Sequence, residues 1–270
     1  MKELTLQELK DIELNLLKRF HSFCTENNIR YFLSHGTLLG AVRYQKFIPW
    51  DDDVDLLVPR EDYDKLVATF EDCEQYRLFS VERNEKYRFP FAKFCDMTTR
   101  KEEFNTENGV ELGVDIDIFP LDHWDDDLSR AKQEAKQIQK YMSCLNLCKI
   151  KSATAPNAFK RIYQFFRMVH ARLFGSKFFL DKIAKASCKA HQTGSRYVGA
   201  KSWCVYGERG IIPAEAFREA VDVEFEGEHF PAPIGYDVYL RCLYGDYLPE
   251  PPKEKQKTHH LFTAYRLTNE

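Results

Sequence analysis

The 270-residue chain is 44% hydrophobic and 30% charged, with a net charge of -3, the composition of an ordinary globular protein with one large core or two small ones. No apolar run approaches the ~18 residues of a membrane span, and Met1-Lys2-Glu3-Leu4-Thr5 lacks the basic-then-apolar order of a signal peptide, so a cytoplasmic location is expected. The eight cysteines form no CxxC, and Cys144 and Cys148 have no second ligand pair near them, so buried free thiols are expected rather than zinc ligands.

The first predicted element is a helix. Thr5 and Glu8 form a capping box, Leu9, Ile12, Leu16, Phe20 and Phe23 recur at helical spacing, and Asn27-Asn28 ends the run. Ile29-Arg30-Tyr31-Phe32-Leu33 reads as a strand, Gly36 opens a turn and short helix, and Asp51-Asp52-Asp53-Val54-Asp55 then runs into Leu56-Leu57-Val58. In a strand Asp53 and Asp55 share a face about 6.6 Å apart and can grip one or two hard cations. Four carboxylates within five residues would raise one another's pKa unless a cation neutralised them. Ile48-Pro49-Trp50 and Leu56-Leu57-Val58 flank the acids with residues that favour burial, which argues against a solvated acidic loop. An EF-hand has the same acidic spacing but needs glycine where Leu56 stands and Glu where Asp62 stands.

Pro59 and Arg60-Glu61-Asp62 start a second helix through Leu66 to Phe70, and Tyr76 to Val81 and Phe89 to Phe94 read as strands. Val114-Asp115-Ile116-Asp117-Ile118-Phe119 alternates with both carboxylates on one face. A solvated edge strand has this pattern too, but beside a metal site it can bring the third carboxylate. Asp127 to Lys151 reads as a polar helix, and Ser152 to Asn157, with Pro156, as the boundary. The expected class is α+β, with a core over 1–150 that holds the acidic run and a mainly helical C-terminal part over 151–270 that is expected to pack on it and contribute to the same site. Between Lys149 and Lys189, ten Lys or Arg face the single acid Asp181, a local charge of +9 that leaves -12 elsewhere. There Phe159, Ile162, Phe166, Val169 and Leu173 repeat at helical spacing among Lys160, Arg161, Arg167 and Arg172. Such a helix is either a solvated basic surface or a contact for an anionic membrane or polyanionic acceptor. No nucleic-acid partner is expected.

Gly36 lets the backbone approach a ligand, the N–H groups that open the next helix can hold phosphate oxygens, and Thr37 adds a hydroxyl. With Asp53-Val54-Asp55-Leu56 downstream this is the glycine turn and Dh[DE]h pattern of nucleotidyltransferase-fold enzymes. Phosphoryl transfer needs positioning and charge neutralisation more than covalent help. Two metals can activate the attacking hydroxyl and stabilise the leaving oxygen.

The runs Leu33-Ser34-His35-Gly36-Thr37-Leu38-Leu39-Gly40-Ala41-Val42-Arg43, Phe47-Ile48-Pro49-Trp50-Asp51-Asp52-Asp53-Val54-Asp55 and Asp117-Ile118-Phe119-Pro120-Leu121-Asp122 resemble the LicD family of phosphocholine transferases. The resemblance extends to fukutin and fukutin-related protein, which use a CDP-activated ribitol donor. It continues through Phe225-Glu226-Gly227, Pro231-Ala232-Pro233, Tyr244-Gly245-Asp246-Tyr247 and Pro251-Pro252. It implies a nucleotidyltransferase-type mixed sheet flanked by helices, with Mg2+, or alternatively Mn2+, as cofactor. Asp53 and Asp55 would be the main metal ligands, Asp117 the third carboxylate and base, and Asp51 an auxiliary ligand. Gly36 and Thr37 would hold the donor phosphates, and Arg43 and Lys93 would neutralise them. His35 departs from the small residue common there, and Asp115 could serve in place of Asp117.

The implied donor is CDP-choline and the implied acceptor a sugar hydroxyl on a lipid-linked precursor of teichoic acid or lipopolysaccharide, with CMP leaving. A quaternary ammonium needs an aromatic cage, for which Trp50, Trp203, Tyr206 and Tyr236 are the candidates. Two alternatives stay open: another donor, such as CDP-ribitol, CDP-glycerol or a nucleoside triphosphate, and a non-catalytic binding protein. The repelling carboxylates argue against the second.

Overall fold

The structure is a computed structural model that describes residues 1–188, 194–258 and 261–267; Lys189, the last residue of the basic segment, lies outside them. The first half runs β1 (Lys2–Glu3), α1 (Leu6–Glu26), β2 (Phe32–Leu33), α2 (His35–Tyr44), β3 (Asp55–Pro59), α3 (Arg60–Thr69), β4 (Tyr76–Phe79), β5 (Ala92–Glu103) and β6 (Leu112–His123). There follow α4 (Leu128–Lys149), α5 (Ala158–Cys188), β7 (Tyr197–Gly199), β8 (Ile212–Pro213), β9 (Ala220–Phe225), β10 (Glu228–Pro233), α6 (Tyr236–Tyr244) and β11 (Phe262–Arg266). The fold is α+β.

Local signals act as the sequence suggests at the first helix. Thr5 Oγ1 accepts from the Glu8 N–H at 3.2 Å while Glu8 Oε2 accepts from the Thr5 N–H at 2.9 Å, closing the capping box. Leu9, Ile12, Leu16 and Phe20 are buried, and α1 packs on β5 and β6. The main sheet has the order β1-β11-β5-β6-β3-β2, with β4 added on β5 and β7 on β6. Its β3–β6 pair is parallel and the pairs β2–β3, β5–β6 and β5–β11 are antiparallel. The β5–β6 ladder shifts register between Asp96 and Lys101. Gly113 sits at that irregularity because a Cβ there would stand 2.0 Å from the Asp96 carbonyl oxygen.

Several strands differ from their sequence outlines. β3 begins at Asp55, so Asp53 lies two residues ahead of it: pairing with β2 reaches only Leu56, and Asp51 N–H instead closes a turn on the Ile48 carbonyl at 3.0 Å. β5 continues to Glu103, past the expected end at Phe94, because its polar second half pairs with β11. The C-terminal part supplies β7 to β11 beside its helices.

A second, smaller core gathers Ala131, Ala135, Ile138 and Met142 of α4 against Met168, Ala171, Phe179 and Ile183 of α5. Gly175, at φ 78 and ψ 160, breaks α5 into two segments. In the first segment the stripe Phe159, Ile162, Phe166, Val169 and Leu173 faces outward, with Phe159 89% and Leu173 79% exposed. Cys24, Cys95, Cys148 and Cys204 are buried free thiols, whereas Cys73 and Cys188 are exposed, against the sequence expectation. Among the described residues no helix is long and apolar enough to cross a membrane.

Candidate functional site

Asp55 and Asp117 are register partners across the parallel β3–β6 ladder, where neighbouring strands run about 4.8 Å apart. Backbone hydrogen bonds fix both. Asp55 N–H donates to Thr37 Oγ1 at 2.8 Å, Ser34 N–H donates to the Asp55 carbonyl at 3.0 Å, and Asp117 N–H donates to the Val54 carbonyl at 2.8 Å. With Asp51, Asp53 and Gly36 the pair lines a cleft of about 700 Å³. At Gly36 a Cβ would stand 2.5 Å from Asp51 Oδ2, so the missing side chain is what leaves room for that carboxylate.

The charges in this cleft oppose one another. Burial, then the neighbouring Asp53, Asp117 and Asp51, push the Asp55 carboxyl well above its ordinary pKa, with Lys93 pulling the other way. Burial raises Asp117 to about 6 despite the Lys93 ammonium, and Asp115 adds to the rise. Asp115 behaves differently. Burial would raise it, but Lys101 and Lys93 outweigh burial and hold it well below the usual carboxylate range. Lys93 Nζ donates to both Asp115 and Asp117, and Lys101 Nζ donates to Asp115 Oδ1 at 2.8 Å. Asp115 is thus a buried anchor, and Asp117 is the carboxylate of this strand that reaches the cleft.

Asp51, Asp52 and Asp53 each bring a carboxylate oxygen within 4.8 Å of the others. The sequence reading left Asp52 out of the ligand set; it is buried, and its Oδ2 accepts from Thr258 Oγ1 at 2.5 Å. Oxygen-only donors suit a hard cation such as Mg2+, and the mutual repulsion felt by Asp55 is what such a charge would relieve.

Arg43 lines the cleft, and its Nη2 is buried with no hydrogen-bond partner among the described residues. Trp50, Trp203 and Tyr206 line it as well, but Tyr236 does not. Tyr244, which sequence reasoning left out of the cage, does line it and accepts from the Tyr206 hydroxyl at 2.9 Å; its one signal was the Tyr244-Gly245-Asp246-Tyr247 run. Thr37 is not on the cleft wall. It is buried, and its hydroxyl accepts from Asp55 N–H, so it positions the ligand strand. Lys93 also lies off this wall, in an adjoining cavity, because its ammonium is held by the two aspartates.

His35, which stands where a small residue is common, lines the cleft. Its ring stacks on Tyr206 at 5.6 Å and meets Phe119 edge-on at 5.3 Å, and its Nδ1 lies 3.7 Å from Asp55 Oδ2. Burial pushes it down to about 4, so it stands neutral at pH 7 in the cleft wall beside Asp55. Asp122, at the end of β6, takes Arg60 Nε at 2.7 Å and Nη2 at 2.9 Å and so locks α3 onto the sheet.

Comparison with known proteins places the chain in a family. A family model described as LicD/FKTN/FKRP, nucleotidyltransferase domain, matches residues 28–143. The lipopolysaccharide cholinephosphotransferase LicD of Haemophilus influenzae (strain ATCC 51907 / DSM 11121 / KW20 / Rd) is 31% identical over 277 residues, covering 99% of this chain and 100% of that protein. Shorter matches occur in an uncharacterised protein of Rickettsia typhi, 46% identical over 63 residues (23% of this chain, 20% of that protein), and in one of Rickettsia prowazekii, 53% identical over 47 residues (17% and 18%). The chain belongs to the LicD family and is a transferase of that family.

Proposed function

We propose that this enzyme transfers phosphocholine from CDP-choline to a sugar hydroxyl of lipopolysaccharide, with a teichoic acid precursor as the alternative acceptor, and releases CMP. The observation that carries the reading is the convergence of Asp51, Asp53, Asp55 and Asp117 in one cleft with the buried, unpartnered Arg43 Nη2. The full-length similarity to a protein named as a lipopolysaccharide cholinephosphotransferase supports the choice of group transferred.

Asp53, Asp55 and Asp117, with Asp51, would hold Mg2+, or Mn2+ in its place, which supplies charge neutralisation at phosphate when bound. The acceptor hydroxyl oxygen attacks the phosphorus that carries choline. A new P–O bond forms, the P–O bond to the CMP phosphate breaks, and the electron pair leaves on CMP. Asp117 takes the hydroxyl proton. Arg43 neutralises donor phosphate, and Gly36 allows its close approach. Trp50, Trp203, Tyr206 and Tyr244 offer aromatic faces for the quaternary ammonium. A donor panel of CDP-choline, CDP-ribitol, CDP-glycerol and CTP, read by the nucleotide released, tests the assignment: CMP from CDP-choline supports it, and pyrophosphate from CTP alone overturns it.

The same enzyme works, in this reading, at an anionic membrane surface. The first segment of α5 exposes Phe159, Ile162, Phe166, Val169 and Leu173 and carries Lys160 and Arg161, while Lys177 and Lys182 follow in the second segment, beyond Gly175. Exposed rings among cations are the pattern of a helix lying in a lipid interface. Arg167 and Arg172 are partly committed elsewhere, to Ser143 Oγ at 3.1 Å and to the Ile150 carbonyl at 2.5 Å.

A further inference from the structure

A second cavity, of about 420 Å³, shares Asp53, Asp117 and Trp203 with the cleft. Its other walls mix the rings of Phe89, Phe91, Phe104 and Phe262 with polar groups, among them the carboxylates of Glu103 and Asp115. Three lysines line it, and two are already neutralised: Lys93 by Asp115 and Asp117, and Lys101 by Asp115.

The third, Lys149, is not. It is 6% exposed, and among the described residues its Nζ has neither a carboxylate within ion-pair distance nor a hydrogen-bond acceptor. The ammonium rests 3.3 Å from the centre of the Phe89 ring. Its place is fixed rather than accidental. Lys149 ends α4, its carbonyl accepts from Glu107 N–H at 2.9 Å, and Thr106 bridges to Ile150 beside it. A buried ammonium with no anion is expensive, and burial accordingly pulls Lys149 down to about 7. The charged groups facing it are Glu103 and Lys93 of β5, Asp117 of β6, and Arg88.

We propose that this cavity is the acceptor subsite, that it takes a sugar bearing a phosphate or a carboxylate, and that Lys149 is the counter-charge for that anion. The inference rests on the transfer reading above, because it seats the acceptor beside the donor cleft at the carboxylates the two share. Of these four rings Phe104 has no ammonium over it and can take the apolar C–H face of a sugar ring, while one placed cation fixes the ligand's orientation. A quaternary ammonium fits here poorly. The Phe89 and Phe262 rings already carry ammonium groups that would repel a further cation, with Lys149 over Phe89 at 3.3 Å, Lys93 over Phe89 at 5.0 Å and Lys101 over Phe262 at 4.4 Å.

The test is calorimetric titration of the full chain with glucuronate, glucose 6-phosphate, glucose and choline, at pH 8 in two buffers of different ionisation heat. Both anionic sugars should bind about tenfold or more tightly than glucose, with uptake of protons as Lys149 becomes charged. K149M should abolish the preference and the proton uptake, while K149R should restore the preference without the uptake, since Arg is charged throughout. Equal binding of glucose and its anionic derivatives, preference for choline, or an anion preference that survives K149M would overturn the proposal. No CDP donor is present, so failure here leaves the transfer reading standing. Failure of that reading would show instead as absent CMP release with anion binding intact.

Discussion

Asp55 of β3 and Asp117 of β6 face each other across a parallel ladder, and Lys93, the register partner of Asp117 on β5, bonds Asp117 from the other side. One strand thus divides two jobs between its carboxylates. Asp117 reaches the cleft and Asp115 stays behind it, clamped between Lys93 and Lys101. Asp55→Asn and Asp117→Asn should each lower transfer by more than the roughly 10–100-fold that loss of a supporting outer partner costs. Thermal stability should hold or rise in Asp55→Asn, because a source of repulsion is removed. Asp115→Ala should do the reverse, unfolding earlier by about 3–5 kcal/mol because two buried ammonium groups lose a partner. Denaturant melts run beside the activity assay separate the two roles, and a stable Asp115→Ala protein would reverse the division.

The outline of this arrangement was legible in the chain, because capping boxes, alternation and the acidic run are local. Thr5 with Glu8, and the alternation from Val114 to Phe119, translate directly into α1 and β6. Register is not local. Nothing near Asp117 says that Asp55 will be its partner, or that Lys101, beyond the expected end of β5, will claim Asp115. The stripe from Phe159 to Leu173 has helical spacing, yet it faces outward while Met168 and Ala171 turn toward α4; periodicity identifies a face without saying what covers it. The family resemblance implies donor-phosphate contacts for Thr37 and Lys93; in the fold the Thr37 hydroxyl accepts from Asp55 N–H and the Lys93 ammonium is held by Asp115 and Asp117, partners that lie on other elements.

Glu13, on α1, is fully buried, and neither carboxyl oxygen has a hydrogen-bond partner among the described residues. Burial pushes its pKa well above the ordinary 4.5. Below about 4.5 both the folded and the unfolded chain hold the proton; as pH rises past it the unfolded chain ionises first, so stability falls with pH until the folded-state group also titrates. Glu13→Met should therefore stabilise the protein by about 1–3 kcal/mol at pH 8 and by less at pH 4. Melts at both pH values check the sign, and a gain that grows on acidification would refute this account of Glu13.

Arg60 and Asp122 form a two-pronged pair at 2.7 and 2.9 Å, with both side chains largely buried. Asp122→Ala should destabilise the fold by about 3 kcal/mol, since it leaves the largely buried guanidinium only its longer contact with Asp64 Oδ1 at 3.4 Å. Because the pair joins α3 to the end of β6 and does not line the cleft, purified variant kept below its melting point should retain transfer within a few-fold. Loss of activity without loss of stability would give Asp122 a different role.

For α5, sedimentation with anionic and neutral vesicles at low and high salt reads the surface directly. Binding should favour anionic lipid by about 1 kcal/mol for each engaged Lys or Arg and weaken as salt shortens the Debye length below about 8 Å. Changing Phe159, Phe166 and Leu173 to Ser should weaken it further, because these rings and chains are exposed rather than packed. Equal sedimentation with both lipids would return α5 to a solvated basic helix.

The most direct measurement is the mass of lipopolysaccharide after incubation with the purified protein, CDP-choline and Mg2+, alongside Asp55→Asn and an EDTA control. The expected result is a glycan heavier by one phosphocholine, with an equal amount of CMP released, and no change in either control. A glycan left unmodified by metal-loaded wild-type protein, or modified equally by Asp55→Asn, would rule out phosphocholine transfer at this cleft.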